Sequence, residues 1–153
     1  MKRRRTPMNR EQLKDILPHR EPMLLVDEAW VNPDGSVTGL YTVRGDEYFL
    51  QGHFPDQPIV PGVIQCEILA QSASVLFETL LREGKYLPLF AGMNKVKFRN
   101  QIRPGDQMKI DIHLIYEKHP YYMIQGEVKV NDTVCMNGEF SIVMIPRGDK
   151  GGM

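Results

Sequence analysis

Cysteine is scarce in this chain. Cys66 and Cys135 are its two cysteines, too few for a disulfide framework and without metal-ligand spacing. Cys66 reads as a small buried hydrophobe, because no basic neighbour is present to lower its pKa. Charge of one sign is also lacking: 19 Lys and Arg balance 19 Asp and Glu, for a formal net charge of zero. That balance does not suggest a nucleic-acid partner. No apolar run approaches the ~18 residues of a membrane span, and no apolar stretch follows Lys2-Arg3-Arg4-Arg5 to make a signal peptide. The expectation is a cytoplasmic protein with no membrane partner. Missing too are a glycine-rich phosphate loop, a His-x-x-x-His pair, a Gly-x-Ser-x-Gly elbow, internal repeats and low-complexity segments. Residues 1–8 read as a flexible basic tail and 147–153 as a second flexible tail, which leaves one domain over 9–146.

What is present is concentrated in residues 52–71. Gly52-His53-Phe54-Pro55-Asp56-Gln57-Pro58-Ile59-Val60-Pro61 is a loop punctuated by three prolines. Each proline fixes its own φ and pushes the preceding residue toward extended geometry, so the loop is stiff without a hydrogen-bonded ladder. A helix follows, expected over roughly Gly62 to Glu83, with Pro61 suited to its first turn. The N–H groups of Gly62 and Val63 would then lie unpaired at the positive end of the helix dipole. Val63, Ile64, Ile68, Leu69, Val75, Leu76, Phe77, Leu80 and Leu81 cover most of the helix circumference, so it should be buried on most sides. Glu67, Gln71, Ser74 and Glu78 form one narrow polar stripe through that apolar surface. An unpaired carboxylate there would be costly or driven to stay protonated, so Glu67 needs a partner or a chemical role. A titratable imidazole at His53, helix-terminal donors at Gly62 and Val63, and a buried acid at Glu67 together match a site with base, oxyanion stabiliser and acid. His53 alone would be a weak signal, and His19, His113 and His119 read as structural or surface residues.

The rest of the chain alternates. A short helix over Asn9 to Ile16 is capped by Asn9 with Gln12 three residues on. Strands are expected over Met23 to Val31 and Ser36 to Arg44, joined at Pro33-Asp34-Gly35. After the long helix, with Gly84 as its C′ residue, strands are expected over Leu87 to Phe98, Met108 to Tyr116, Tyr121 to Val130 and Thr133 to Ile145. The fold class is α+β: an antiparallel sheet against or around one buried helix. Pairing sheet edges into a dimer is one way to manage the exposed strand.

Several segments resemble one family. Leu17-Pro18-His19-Arg20, Pro22, Leu24-Leu25-Val26-Asp27, Gly52-His53-Phe54-Pro55, Pro58-Ile59, Pro61-Gly62-Val63, Glu67, Ala70-Gln71, Phe90-Ala91-Gly92, Lys95-Val96-Lys97-Phe98-Arg99 and Pro104-Gly105-Asp106-Gln107 are similar to the β-hydroxyacyl-(acyl-carrier-protein) dehydratases of fatty acid synthesis. The resemblance implies a hot-dog fold, a long central helix wrapped by an antiparallel sheet. It implies a homodimer or trimer of dimers whose active site lies at the dimer interface, the histidine of one chain facing the glutamate of the other. It implies no metal or organic cofactor, the substrate being carried on phosphopantetheine. The reaction expected is reversible loss of water from a 3-hydroxyacyl thioester to give the trans-2-enoyl thioester. His53, neutral, would remove the α proton, the N–H of Gly62, with or without that of Val63, would hold the enolate oxygen, and Glu67, protonated or sharing a proton, would assist departure of the 3-hydroxyl as water. Gln71 would orient Glu67 or the leaving water. Acyl carrier protein would be the partner, with Lys95, Lys97, Arg99 and Arg103 available to an acidic surface. Asp56 stands where the family usually has glycine, Ile68-Leu69 and Asn94 also depart from its pattern, and Asn137-Gly138 is expected to interrupt the last strand differently. A hot-dog thioesterase using Glu67 and a non-catalytic acyl-binding protein are the alternative readings.

Overall fold

The computed structural model describes residues 6–52 and 56–148. Its order is β1 (Met8–Asn9), α1 (Arg10–Leu13), β2 (Glu28–Val31), β3 (Val37–Thr42), α2 (Gly62–Ser72), α3 (Glu78–Arg82), β4 (Tyr86–Phe98), β5 (Gln107–Lys118), β6 (Tyr121–Val130) and β7 (Thr133–Pro146). The strands form one seven-stranded sheet in the order β1-β2-β3-β5-β6-β7-β4, with every pair antiparallel. Met8, expected in the basic tail, pairs with Ala29.

The alternation in β5 to β7 sets the core. Met108, Ile110, Ile112, Ile124, Val128, Met136 and Phe140 are completely buried, and with Ile68 and Leu69 of α2 they belong to one apolar cluster. Two glycines let the helix settle close to the sheet. A Cβ on Gly39 of β3 would stand 2.7 Å from Cβ of Ser72, and one on Gly126 of β6 would stand 2.6 Å from Leu69 Cδ1. A long helix crossed by an antiparallel sheet is the hot-dog arrangement that the resemblance implies.

The elements differ from expectation in places with physical causes. The long helix is not regular: between α2 and α3, residues Ala73–Phe77 tighten into a 3₁₀ turn. Ser72 Oγ bonds back to the carbonyl of Ile68 at 2.8 Å, a contact that bends helices. Met23 to Asp27 is not strand: the Met23 and Leu24 N–H groups return to the Arg20 carbonyl, Gln71 takes the Leu25 N–H and the Met23 carbonyl, and Arg10 donates to the carbonyls of Leu24 and Val26. The Asn9–Gln12 capping box is present. Asn131 and Asp132 take positive φ in the tight turn between β6 and β7. β7 runs through Asn137-Gly138 without interruption. β4 lies at the edge of the sheet, and its pairing with β7 shifts register between Phe90 and Gly92 and between Asn94 and Lys97.

Candidate active site

Glu67 stands on α2 where the helix passes beneath the connector between α1 and β2. Gln71, one turn further on and almost wholly buried, joins the two. Its Oε1 accepts the Leu25 N–H at 2.8 Å, while its Nε2 donates to the Met23 carbonyl at 2.8 Å and to Glu67 Oε2 at 2.8 Å. The connector is pinned in turn by Arg20, whose guanidinium donates to the carbonyls of Leu17 at 2.9 Å, His19 at 2.7 Å and Lys14 at 3.4 Å. This places His19 Nε2 3.2 Å from Glu67 Oε2. The pair opens onto a cavity of about 180 Å³ walled by Leu17, Ala70, Pro88, Leu89, Phe90 and Ile142.

The electrostatics differ from the expected protonated acid. Burial pushes the Glu67 carboxyl up, but the hydrogen bonds from His19 and Gln71 outweigh it, and the net displacement is below the usual carboxylate value. Glu67 is therefore ionised at neutral pH and accepts hydrogen bonds. Cys66 beside it moves the other way: burial raises its thiol to about 11.

Gly62 and Val63 begin α2, but Pro61 is the N-cap rather than the first helical residue, with ψ 144°. Its carbonyl accepts the N–H groups of Ile64 and Gln65 at 3.0 and 3.1 Å. The N–H groups of Gly62 and Val63 precede these bonds and have no acceptor among the described residues. Val63, expected in the buried surface of the helix, is 74% exposed. Gly62 lies against the Phe98 ring, where a Cβ would come within 2.8 Å of Cζ. These residues line a groove of about 510 Å³ with Ile59, Gln65, Arg99 and Gln101. The groove is a separate cavity from the one at Glu67.

His53, with Phe54 and Pro55, lies outside the described residues. The segments that flank it are firmly tied. Glu47 accepts from Tyr41 Oη at 2.7 Å and from the N–H groups of Arg44 and Gly45 at 2.8 and 2.7 Å. Asp27 joins the same cluster through Arg44 at 2.8 Å and the Thr42 N–H at 2.8 Å. On the far side, the Val60 N–H donates to the Ile102 carbonyl at 2.8 Å. Asp56 is exposed, as are Lys95, Lys97, Arg99 and Arg103.

Glu67 and Gln71 are thus brought together, while Gly62 and Val63 face another cavity. His19 is the residue that sequence reasoning missed. Nothing in its spacing links it to Glu67; its place between two prolines, in a segment carrying the resemblance, was the available signal. Among the described residues no group of three or more His, Cys, Asp or Glu side chains lies close enough to hold a metal ion.

A seven-stranded antiparallel sheet crossed by a helix that carries a half-buried carboxylate and a free N-terminus defines a hot-dog protein with an acyl-thioester type of site. Residues 17–139 match the FabA-like domain family, and the chain belongs to it. It is 38% identical over 138 residues to the 3-hydroxyacyl-(acyl-carrier-protein) dehydratase FabZ of Natranaerobius thermophilus, covering 89% of this chain and 96% of that one. It is 39% identical over 148 residues to the protein of the same name from Psychrobacter arcticus, covering 94% and 99%. A solved structure, the dehydratase heterocomplex ApeI:P from Xenorhabdus doucetiae, superposes with a TM-score of 0.76 at 21% identity, over 90% of this chain and 93% of that one. No helix of the described residues is long and apolar enough to cross a membrane.

Proposed function

We propose that the chain is a cytoplasmic 3-hydroxyacyl-(acyl-carrier-protein) dehydratase of fatty acid biosynthesis, and that two copies complete each site. The observation that carries this reading is the separation of two half-sites along one edge strand. The Glu67 cavity touches β4 at Pro88, Leu89 and Phe90, and the groove at the helix N-terminus touches it at Phe98. The outer edge of β4 is unpaired among the described residues. If two copies pair antiparallel through that edge about a twofold axis at Met93, Pro88 of one comes opposite Phe98 of the other. The carboxylate of one subunit then faces the amide donors of its partner, in whose sequence His53 lies nine positions before Gly62. Exposed Met93 and Phe98 on β4 would be covered in the process. A trimer of dimers would repeat the same unit.

In this site His53 removes the proton α to the thioester carbonyl. The N–H groups of Gly62 and Val63 stabilise the oxygen as it becomes an enolate. Glu67, ionised, accepts the hydrogen bond of the substrate 3-hydroxyl and turns its lone pairs toward His53. The protonated imidazole returns its proton to that oxygen, water departs, and His53 is neutral again. No cofactor is required beyond the phosphopantetheine that carries the acyl chain. Arg99 lines the groove, and with exposed Lys95, Lys97 and Arg103 it offers charge to an acidic carrier.

Mixing two inactive variants tests the shared site. His53→Ala and Glu67→Gln should each lack dehydration of a 3-hydroxyacyl thioester followed by enoyl absorbance. Refolded together in equal amounts, they should recover about a quarter of the wild-type rate, because half of the dimers are mixed and each mixed dimer holds one intact site. No recovery would place both residues in one subunit. Release of free thiol without enoyl product would instead mark a thioesterase, which an ionised Glu67 could serve as base for water.

A further inference from the structure

We propose that His19 is a positioning residue for Glu67, holding one carboxylate oxygen so that the other is presented to substrate. The inference rests on the dehydratase reading of the site and adds a residue to it. Oε2 of Glu67 is engaged twice, by Gln71 Nε2 at 2.8 Å and by His19 Nε2 at 3.2 Å. Oε1 has no partner among the described residues. A carboxylate held through one oxygen by two donors on different elements cannot rotate about its last torsion without breaking both bonds. An ionised carboxylate accepts only, so Nε2 of His19 is the donor.

The rest of the ring has no competing polar task. His19 Nδ1 is buried without a hydrogen-bond partner, so the ring's one polar contact among the described residues is Glu67. The connector that carries it is tied by Arg20 to its own carbonyls and by Gln71 to α2. The side chain is therefore held from outside the helix that bears the acid. That is the arrangement needed to fix a carboxylate against helix fluctuation.

The groups that face Glu67 are few. From the connector it is met by His19, and on its own helix by Gln71 and the thiol of Cys66. From β4 and β7 it is met by Pro88, Leu89, Phe90 and Ile142, which carry no charge. Among the described residues, removing the His19 donor leaves burial opposed by Gln71 alone, so the carboxyl should titrate at higher pH and spend time protonated and rotated.

The test is His19→Ala in the full chain, with His19→Phe as a second variant that keeps ring volume without a donor and His19→Gln as one that keeps a donor. The Glu67 carboxyl is followed by carbon NMR with glutamate labelled, assigned through Glu67→Gln. In His19→Ala and His19→Phe it should titrate about one pH unit higher than in wild type. In the same variants kcat should fall about 10- to 100-fold with KM little changed, and His19→Gln should recover most of both. A Glu67 titration unmoved in His19→Phe, or a kcat equal to wild type in either donorless variant, would overturn the proposal. The NMR titration needs no turnover. A wild-type chain that does not dehydrate the substrate, with the Glu67 titration still moved by His19, would refute the function and leave the positioning role standing.

Discussion

At the scale of single residues, neighbours decide the chemistry. Glu67 and Cys66 are adjacent on one helix, and both are moved upward by burial. The side-chain donors His19 and Gln71 outweigh burial at Glu67, whereas one backbone N–H does not outweigh it at Cys66, so only Glu67 ends below its usual value. Cys66, raised to about 11, stays a thiol at neutral pH, and the thiolate is the nucleophile. Iodoacetamide at pH 8 should therefore leave Cys66 unlabelled in the native protein and modify it promptly in denaturant, as mass spectrometry of digested samples would show. Native labelling as fast as that of an exposed thiol would contradict the burial. Glu67 also shows what a single position conveys. A carboxylate in an apolar helix announces that it has a partner, but His19 is forty-eight positions away by the numbering, and only the folded connector sets it beside the acid.

At the scale of elements, the site depends on how closely α2 lies on the sheet. Ser72 packs over Gly39 of β3, where there is no room for a methyl group. The contact involves a helix Cβ rather than the end of a flexible side chain, so the helix itself would have to move. Gly39→Ala should cost about 1–3 kcal/mol of stability, measured as a lower midpoint in urea at unchanged m-value. An unchanged midpoint would show that the helix yields without cost. Much at this scale was legible in the residues. The alternation of Met108, Ile110 and Ile112, the Asn9 cap and Gly84 after the helix all act through near neighbours. Met23 to Asp27 was not legible, because an apolar run reads as strand whether its backbone bonds to another strand or, as here, to the amide of Gln71. The 3₁₀ turn over Ala73–Phe77 also escaped, since serine back-bonding is a matter of rotamer and not of spacing.

At the scale of the whole molecule, the edge strand β4 carries the argument. Its centre bears Met93, 51% exposed, and its two ends border the two half-sites. An aspartate at position 93 would meet its own copy across the twofold axis, and like charges directly opposite on paired strands are destabilising. Met93→Asp should shift the protein toward monomer in light scattering at micromolar concentration, and dehydration should fall in proportion to the dimer lost. A monomeric variant with full activity would show that one chain suffices.

The order of elements, the buried helix and its start at Gly62 after Pro61 were determined by the sequence alone, because hydrophobic period, proline geometry and helix capping are local properties of the chain. The family followed from the same residues, since its motifs are contiguous. Tertiary structure decided the rest: that Glu67 rests ionised, that His19 and Gln71 hold it, and that Gly62 and Val63 open onto a different cavity. Each of these depends on which donors face a group across the packed interior, and packing joins positions that no spacing along the chain connects.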